Sequence, residues 1–256
     1  MAPYYTDILN GAAAMPQSTK KPFDRFADNI HSQNGEDGIL AEILKRIGVT
    51  GGSGHWCVEY GAWDGKHLSN TFALVEQGWH AVYIEGDESK YNDLLLTAQR
   101  YPQVVPVKAF VARNTGEPDS LGSILAKTPI PTNFSVLSID IDSYDLDTWE
   151  SLCGYEPRIV IIEINSSIKP GVYHRHNAVL GGNSFSSTLE VAHGKGYELV
   201  CHTGNMIFVR KELVAQLGID GAFLAEPSLL FHSRWLPSRS LKGILRRLMR
   251  TLRLRN

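Results

Sequence analysis

The sequence predicts an α/β domain with a mostly parallel sheet that ends in an antiparallel β-hairpin. From residue 55 onward, five short apolar runs alternate with segments of helical periodicity, the pattern of right-handed strand–helix–strand crossovers. Two further apolar runs are separated by only four residues, which is too short for a crossover and indicates a hairpin. The chain has 256 residues, of which 43% are hydrophobic, so it can bury the core of one such domain.

A helix is expected before the first strand. Apolar residues at positions 39, 40, 43, 44 and 47 recur at helical spacing, and Gly48 ends the pattern. Asn34 and Asp37 resemble a capping pair at its start. Residues 1–30 are then an N-terminal extension to the domain.

The remaining elements follow in regular alternation. Crossover strands are predicted at residues 55–60, 81–85, 104–108, 135–140 and 158–164, and the hairpin strands at 197–201 and 206–210. Helices are predicted at residues 70–77, 89–100, 119–126, 145–152 and 187–194. A nicotinamide-binding Rossmann domain continues with a sixth parallel strand. The hairpin instead suits the sheet of S-adenosylmethionine (SAM) methyltransferases.

Acids and a glycine stand where the first two strands end, the edge at which α/β sheets bind ligands. Gly61 allows close approach of a ligand to the backbone, but Gly61 and Gly65 lack the dinucleotide spacing, and Asp64 would repel a pyrophosphate. Glu85, 26 residues after Glu59, can accept both hydroxyls of a ribose. The pattern favours a cationic cofactor. The alternative is that these acids only cap helices or end a strand.

Oxygen ligands also follow the fourth and fifth strands. Asp140 and Asp142 lie on one side of an extended chain, and so do Glu163 and Asn165. Carboxylate and amide oxygens suit a hard cation such as Mg²⁺ or Mn²⁺, so these four residues form a candidate metal site. The alternative is that Asp142 or Asp145 caps the next helix and Asn165 bonds only to the loop backbone.

Five blocks of sequence carry a family resemblance. They are residues 32–38 (SQNGEDG), 58–71 (VEYGAWDGKHLSNT), 78–87 (GWHAVYIEGD), 137–142 (LSIDID) and 160–165 (VIIEIN). In this order, the blocks resemble the FkbM-type SAM-dependent methyltransferases over roughly residues 30 to 210. The resemblance implies a class I methyltransferase fold and methylation of a hydroxyl, often on a sugar or natural product.

The resemblance also implies a set of cofactor contacts. Glu85 would bind the ribose of SAM, and the adenine would lie near Phe110 and Val111. The loop after the first strand would hold the methionine end, through Glu59, Gly61, Asp64 and Asn70.

The candidate general bases in the sequence are histidines. Metal-dependent catechol methyltransferases, which this chain resembles only in the acids of strands four and five, place a lysine where Ser143 stands here. His174 and His176, in the loop after the fifth strand, are the candidate bases, with His67 behind them. Asp140 joins this catalytic set because a metal bound there would ease loss of the hydroxyl proton. The two loop histidines are otherwise ordinary surface residues.

Charge separates the C-terminus from the rest of the chain. Residues 232–256 carry eight basic side chains and no acidic one, which leaves 17 basic against 27 acidic residues elsewhere. An acidic body argues against a nucleic-acid partner. The tail places an apolar stripe opposite arginines, which is typical of a helix lying on an anionic membrane; the stripe is Leu241, Ile244, Leu245, Leu248 and Leu252. The alternative is a helix that docks on its own body or on a second subunit of a homo-oligomer.

These observations give three segments: the extension (1–30), a methyltransferase domain (31–231) and the basic amphipathic helix (232–256). No apolar run approaches the roughly 18 residues of a membrane span, and the N-terminus lacks a signal-like pattern. Three scattered cysteines make a disulfide framework improbable. We expect a cytoplasmic protein, peripheral to the membrane if the tail binds lipid.

The expected function is SAM-dependent O-methylation of a carbohydrate or glycoconjugate hydroxyl, with Mg²⁺ or Mn²⁺ assistance left open. One alternative is a metal-dependent glycosyltransferase that uses Asp140-x-Asp142, which leaves Glu59, Gly61 and Glu85 unexplained. Another is a non-catalytic binding protein that has kept the fold.

Overall fold

The computed structural model describes residues 20–52 and 54–237. Most of the predicted N-terminal extension and the apolar stripe of the predicted C-terminal helix lie outside these residues. Within them, no helix combines the length and apolar character needed to cross a membrane.

A seven-stranded sheet forms the centre of the domain. Its strands are β1 Trp56–Tyr60, β2 His80–Glu85, β3 Val104–Lys108, β4 Val136–Ile139, β5 Ile159–Glu163, β6 Tyr197–His202 and β7 Asn205–Arg210. The spatial order is β3-β2-β1-β4-β5-β7-β6, with β1 to β5 parallel and β7 antiparallel to both of its neighbours. This is the class I methyltransferase arrangement, so the predicted fold class is confirmed. Every predicted strand is present, with its ends within one residue of those predicted.

Helices cover both faces of the sheet. They are α1 Glu36–Arg46, α2 Phe72–Glu76, α3 Glu88–Arg100, α4 Leu121–Leu125, α5 Asp145–Ser151, α6 Phe185–Gly194 and α7 Gly221–Ala225. Side chains of α1 to α3 share one buried cluster with Cys57 and Tyr83, while those of α4 to α6 share a second with Val58 and Val82. Because successive strand residues point to opposite faces, the two clusters are the two layers of the core.

The start of α1 differs from the prediction. Asn34 and Asp37 do not form a capping pair, since the N-cap residue is Gly35 and no side chain caps it. Asp37 instead pairs with Ser32: the Ser32 N–H donates to Asp37 Oδ2 at 2.8 Å, and the Asp37 N–H donates to Ser32 Oγ at 3.1 Å. The N–H groups of Ile30 and His31 donate to the same carboxylate oxygen. The acid therefore folds the preceding segment back onto the helix.

The two ends of the described chain meet beside β6. Lys21 Nζ donates to the carbonyl oxygens of Leu230 and Phe231 at 2.8 and 2.5 Å. His202 is buried, its Nδ1 accepts the His232 N–H at 3.0 Å, and its ring stacks on Phe231. Burial, followed by nearby positive groups, lowers the pKa of His202 to about 3, so the ring is neutral. These contacts fix the segment that leads to Trp235 at the carboxyl edge of the sheet.

Candidate functional site

A cavity of about 580 Å³ opens at the carboxyl edge of the sheet. It is bounded by the loops after β1, β4 and β5, by residues 33–34 before α1, by the β6–β7 turn and by Trp235. All four predicted metal ligands line it, as does Asn70. The topology thus brings together residues from six separate parts of the sequence.

Three acids of the cavity form a tight cluster. One carboxylate oxygen from each of Asp140, Asp142 and Glu163 lies within 4.8 Å of the other two. Burial, reinforced by the neighbouring acids, raises the pKa values of Asp140 and Glu163, and a hydrogen bond between the two carboxyl groups requires a proton on one of them. Without protons, the cluster needs a cation. An all-oxygen donor set fits Mg²⁺ or Mn²⁺.

Asn165, the fourth predicted ligand, is held by the loop. Its Oδ1 accepts the Ser167 hydroxyl at 2.6 Å and the Ser167 N–H at 3.2 Å, while its Nδ2 donates to the Gly181 carbonyl at 2.8 Å. Coordination of a metal by this oxygen would compete with the bonds to Ser167.

Asp145 bonds to the loop that carries the acids. It is 1% exposed, and its two oxygens accept the N–H groups of Ile141 and Ser143 at 2.8 and 2.9 Å. Between these two residues, Asp142 has a φ of 58°, a left-handed conformation that side chains rarely adopt. Asp145 therefore fixes the strained turn that aims Asp142 at the cluster.

Glu85 lies at the end of β2, where the ribose was predicted. Its Oε2 accepts the Trp63 N–H at 2.9 Å, and its Oε1 accepts the Asp87 N–H at 2.8 Å. A carboxylate offers about four lone-pair positions, so each oxygen keeps capacity for one more donor. Phe110, 78% exposed, packs on Gly86, where an added Cβ would lie 2.3 Å from its ring. Val111 is half-buried against the core.

Gly61 lets two site loops touch. Its φ is 78°, and an added Cβ would lie 1.7 Å from the Asp140 carbonyl oxygen. The N–H groups of Gly61 and Ala62 both donate to the Ile84 carbonyl, which ties the β1 loop to β2. A larger residue would therefore separate the predicted cofactor loop from the acid cluster.

Glu59 points into the protein beneath the loop of residues 61–71. It is 6% exposed and accepts hydrogen bonds from Ser69 Oγ at 2.7 Å, Thr71 Oγ1 at 2.5 Å and the Asn70 N–H at 3.2 Å. Burial is the larger effect and raises the pKa of Glu59 above its ordinary value, and these donors offset part of the rise. Glu59 thus holds the loop, and a contact with the methionine end would compete with these bonds.

The other two predicted methionine contacts are on the same loop. Asp64 Oδ1 accepts the N–H groups of Lys66 and His67 at 2.9 and 2.7 Å, which closes a turn. Asn70 is 5% exposed and its Nδ2 donates to Ser138 Oγ at 3.1 Å, so it links the loop to β4 at the cavity wall.

The candidate general bases do not line the cavity. His174 Nε2 lies 3.1 Å from the Leu180 carbonyl, and His176 Nδ1 accepts the Gly182 N–H at 3.1 Å. A neutral His176 therefore carries its proton on Nε2 and has no free acceptor nitrogen. His67 is exposed and packs edge-on against Trp63. No histidine of the described residues lines this cavity.

Sequence reasoning missed one part of the cavity that carries side-chain amides. Gln33, Asn34 and Asn205 line it, and Glu36, fully buried beneath them, positions two of the three. Glu36 Oε2 accepts the Asn34 N–H at 2.7 Å, while its Oε1 accepts Thr203 Oγ1 at 2.5 Å and Asn205 Nδ2 at 3.3 Å. The block at residues 32–38 is one of the five that carry the family resemblance, and this marked the segment in the sequence. Nothing local to it indicates that it meets the β6–β7 turn.

Comparison with known proteins yields similarities of fold. No protein-family model matches the chain, and no curated protein matches it. Similar solved structures include a TehB-like SAM-dependent methyltransferase from Corynebacterium glutamicum (14% identity, 66% of this chain, 88% of that one, TM-score 0.38). Another is a SAM-dependent methyltransferase from Aquifex aeolicus (14%, 66% and 85%, TM-score 0.40). A third is the N-terminal domain of EvdMO1 in the presence of SAH and D-fucose (13%, 72% and 84%, TM-score 0.44). At this identity, the likeness assigns no residue a role.

Proposed function

We propose that the protein is a SAM-dependent O-methyltransferase that acts on a hydroxyl of a carbohydrate or glycoconjugate, with a divalent cation at the acid cluster. The proposal rests on the position and hydrogen bonds of Glu85. Its two oxygens are oriented by backbone N–H groups and keep lone pairs for two ribose hydroxyls, at the strand end where this sheet arrangement binds a cofactor.

Neighbouring residues would complete the cofactor site. Phe110 offers an exposed aromatic face for the adenine beside Glu85. The loop held by Glu59 brings Gly61 next to the Asp140 carbonyl, so the methionine end would lie between the ribose position and the acid cluster. Bound SAM supplies an electrophilic methyl group.

The cavity suits a hydroxylated acceptor. The side-chain amides of Gln33, Asn34 and Asn205 and the hydroxyl of Ser167 line it, and each can both donate and accept a hydrogen bond. Trp235 adds an apolar ring to the same wall. These polar groups share the cavity with the acids, which would hold the reacting hydroxyl in line with the methyl group.

Proton removal falls to the acid cluster, because it lines the cavity and the histidines do not. A cation held by Asp140, Asp142 and Glu163 would lower the pKa of a hydroxyl. In the absence of a cation, Asp140 is suited to receive the proton, since burial and its acidic neighbours raise its pKa to about 7.

Calorimetric titration with SAM tests the cofactor assignment. Glu85→Ala should weaken SAM binding by roughly 1 to 3 kcal/mol, because two hydroxyls lose a charged acceptor. The exposed neighbour Glu88 supplies the control, Glu88→Ala, which should bind SAM as the wild type does. Unchanged affinity in a folded Glu85→Ala protein, or binding of nucleotide-sugars in place of SAM, would contradict the proposal.

Thermal melts with Mn²⁺ test the metal assignment. Mn²⁺ should raise the melting temperature of the wild type, EDTA should reverse the shift, and Glu163→Gln should abolish it because one of three clustered carboxylates is lost. Asp93→Asn, a change at an exposed acid of α3, should leave the shift intact. If Mn²⁺ gives no shift and soaked crystals show no anomalous peak at the cluster, the cation is not part of the function.

A further inference from the structure

Exposed apolar side chains concentrate at the carboxyl edge of the sheet. Of the nine large apolar residues of the described chain that are 40% or more exposed, seven lie in loops that follow β1, β3 and β5. They are Trp63, Leu68, Phe110, Val172, Tyr173, Val179 and Leu180. Four of these belong to one segment, residues 170–182, which we call the β5–α6 loop.

The cofactor and acceptor sites do not account for this loop. Trp63 and Phe110 lie beside Glu85, and Leu68 lines the cavity. Val179 and Tyr173 are 97% and 68% exposed and do not line the cavity, although Gly181 and Gly182 of the same loop do. The loop therefore presents its apolar side chains outward at the cavity mouth, where a partner surface is expected.

Hydrogen bonds fix the conformation of the loop tip. Asn177 Oδ1 accepts the N–H groups of Val179 and Leu180 at 2.9 and 3.0 Å, and the Asn177 N–H donates to the Leu180 carbonyl at 3.2 Å. His174 Nε2 bonds to the same carbonyl, and His176 Nδ1 accepts the Gly182 N–H. Both histidines thus brace the loop. The N–H groups of Val179, Leu180 and Gly182 and the Leu180 carbonyl are thus satisfied within the loop, which favours an apolar environment for its tip.

The chain leaves the described structure at the same rim. Trp235 lines the cavity together with Gly181 and Gly182, and the description ends two residues later. Residues 238–256 then carry seven basic side chains and no acidic one. Outward apolar side chains near the residue from which a strongly basic sequence continues are a combination that suits an anionic lipid surface.

We propose that the β5–α6 loop inserts Val179 and Leu180 into an anionic bilayer surface, with Tyr173 at the level of the headgroups. Tyrosine favours that level because its ring is apolar and its hydroxyl is polar. Arg175, within the loop, pairs with Glu150, so its charge is balanced locally. In this orientation the cavity mouth faces the membrane. Membrane contact through this loop does not depend on methyltransferase activity.

A fluorescent label on the full-length protein tests the contact directly. Cys153 is the exposed one of three free cysteines, so Cys153→Ser gives a background in which only an introduced cysteine is labelled. An NBD group at Val179→Cys should brighten and shift to the blue with phosphatidylcholine–phosphatidylglycerol vesicles, and much less with phosphatidylcholine alone. The same label at Leu96→Cys, exposed on α3, should not respond. An unresponsive label at position 179 would overturn the proposal, even if the protein sediments with the vesicles through its tail.

Sedimentation with the same vesicles supplies a second measurement. The double variant Val179→Asp/Leu180→Asp should reduce partitioning about tenfold or more, because two apolar side chains become charged. Leu96→Asp makes the same kind of change away from the loop and should partition as the wild type does. Wild-type-like partitioning of the double variant would overturn the proposal. So would a change confined to oligomeric state in light scattering, which would assign the surface to a second copy of the chain.

Discussion

Glu59→Gln would place an amide among three groups that all donate to the wild-type carboxylate. In the wild type, Oε1 accepts the Asn70 N–H and Oε2 accepts the hydroxyls of Ser69 and Thr71. A backbone N–H cannot rotate, so the amide oxygen of the glutamine must face Asn70. Its NH₂ group must then face the two hydroxyls.

The two hydroxyls differ in their ability to adapt. Thr71 Oγ1 lies 3.0 Å from the Tyr83 hydroxyl, which donates to it in the wild type. Thr71 can therefore accept from the amide and donate to Tyr83 if the Tyr83 hydrogen turns away. Ser69 Oγ already accepts the N–H groups of Thr71 and Phe72, and its own hydrogen is left facing the NH₂ group. One buried hydroxyl thus loses its acceptor, at a cost of roughly 1–3 kcal/mol. Removal of a buried charge offsets part of this cost. We expect a net loss of about 1–2 kcal/mol in the free energy of unfolding.

Urea unfolding measures this loss. Glu59→Gln should lower the denaturation midpoint at an unchanged m-value. In a Ser69→Ala background the same substitution should cost less, because the stranded hydroxyl is absent. An unchanged midpoint, or an equal cost in both backgrounds, would refute the assignment of Glu59 as the acid that holds this loop.

Two further predictions concern the same region. Gly61→Ala should destabilise the protein by clearly more than Gly154→Ala. Both glycines have positive φ, but only a Cβ at position 61 would meet a backbone oxygen. The Gly154→Ala change should cost roughly 1–2 kcal/mol in the free energy of unfolding. Equal urea midpoints would contradict the close approach of the β1 and β4 loops. In EDTA, the folded state keeps protons on Asp140 and Glu163 at pH values where the unfolded chain has lost them, because both pKa values are raised. The melting temperature should therefore fall as the pH rises from the ordinary carboxyl range through these raised values, and Glu163→Gln should flatten the dependence; a rise with pH would contradict the cluster.

Local sequence predicted the elements because their signals are local. The bounds of β3 agree with the prediction. The connection between the last two strands, predicted as four residues and observed as residues 203 and 204, could only be a hairpin. The start of α1 was harder to predict, since Asn34 and Asp37 have capping spacing, but Ser32 offers the reciprocal bond and Gly35 takes the cap. Several donors and acceptors compete within a few residues there, and the backbone path decides between them.

The sequence indicated which acids lie at this edge of the sheet, and the roles assigned to them stay predictions. The ends of two neighbouring strands were expected to bring Asp140 and Glu163 together, and these acids do lie close together. The sequence did not indicate that Glu36 reaches Asn205, 169 residues away, or that Trp235 closes the cavity. Such contacts depend on how the two ends of the described chain pack beside β6. The periodicity of apolar residues carries no information about that packing.

Three buried acids, Glu59, Glu85 and Asp145, hold strained backbone at the carboxyl edge of the sheet. Trp63, Leu68 and Asp142 are the non-glycine residues of the described chain with positive φ, and all three lie in loops at the carboxyl edge.

Each strained residue is held by a carboxylate. Glu85 accepts the N–H of Trp63 itself, and Asp145 accepts the N–H groups on both sides of Asp142. Glu59 bonds to Ser69 and Asn70, the two residues that follow Leu68.

Strain of this kind costs on the order of 1–3 kcal/mol per residue and persists only where the surroundings enforce it. The hydrogen bonds to these three acids enforce the strained conformations, so the loops around the cavity have their shape before any ligand binds. Binding then need not order these loops, which removes one of the main costs of association. Neutralising Glu59 or Asp145 should therefore weaken ligand binding even though neither carboxylate is required to touch the ligand.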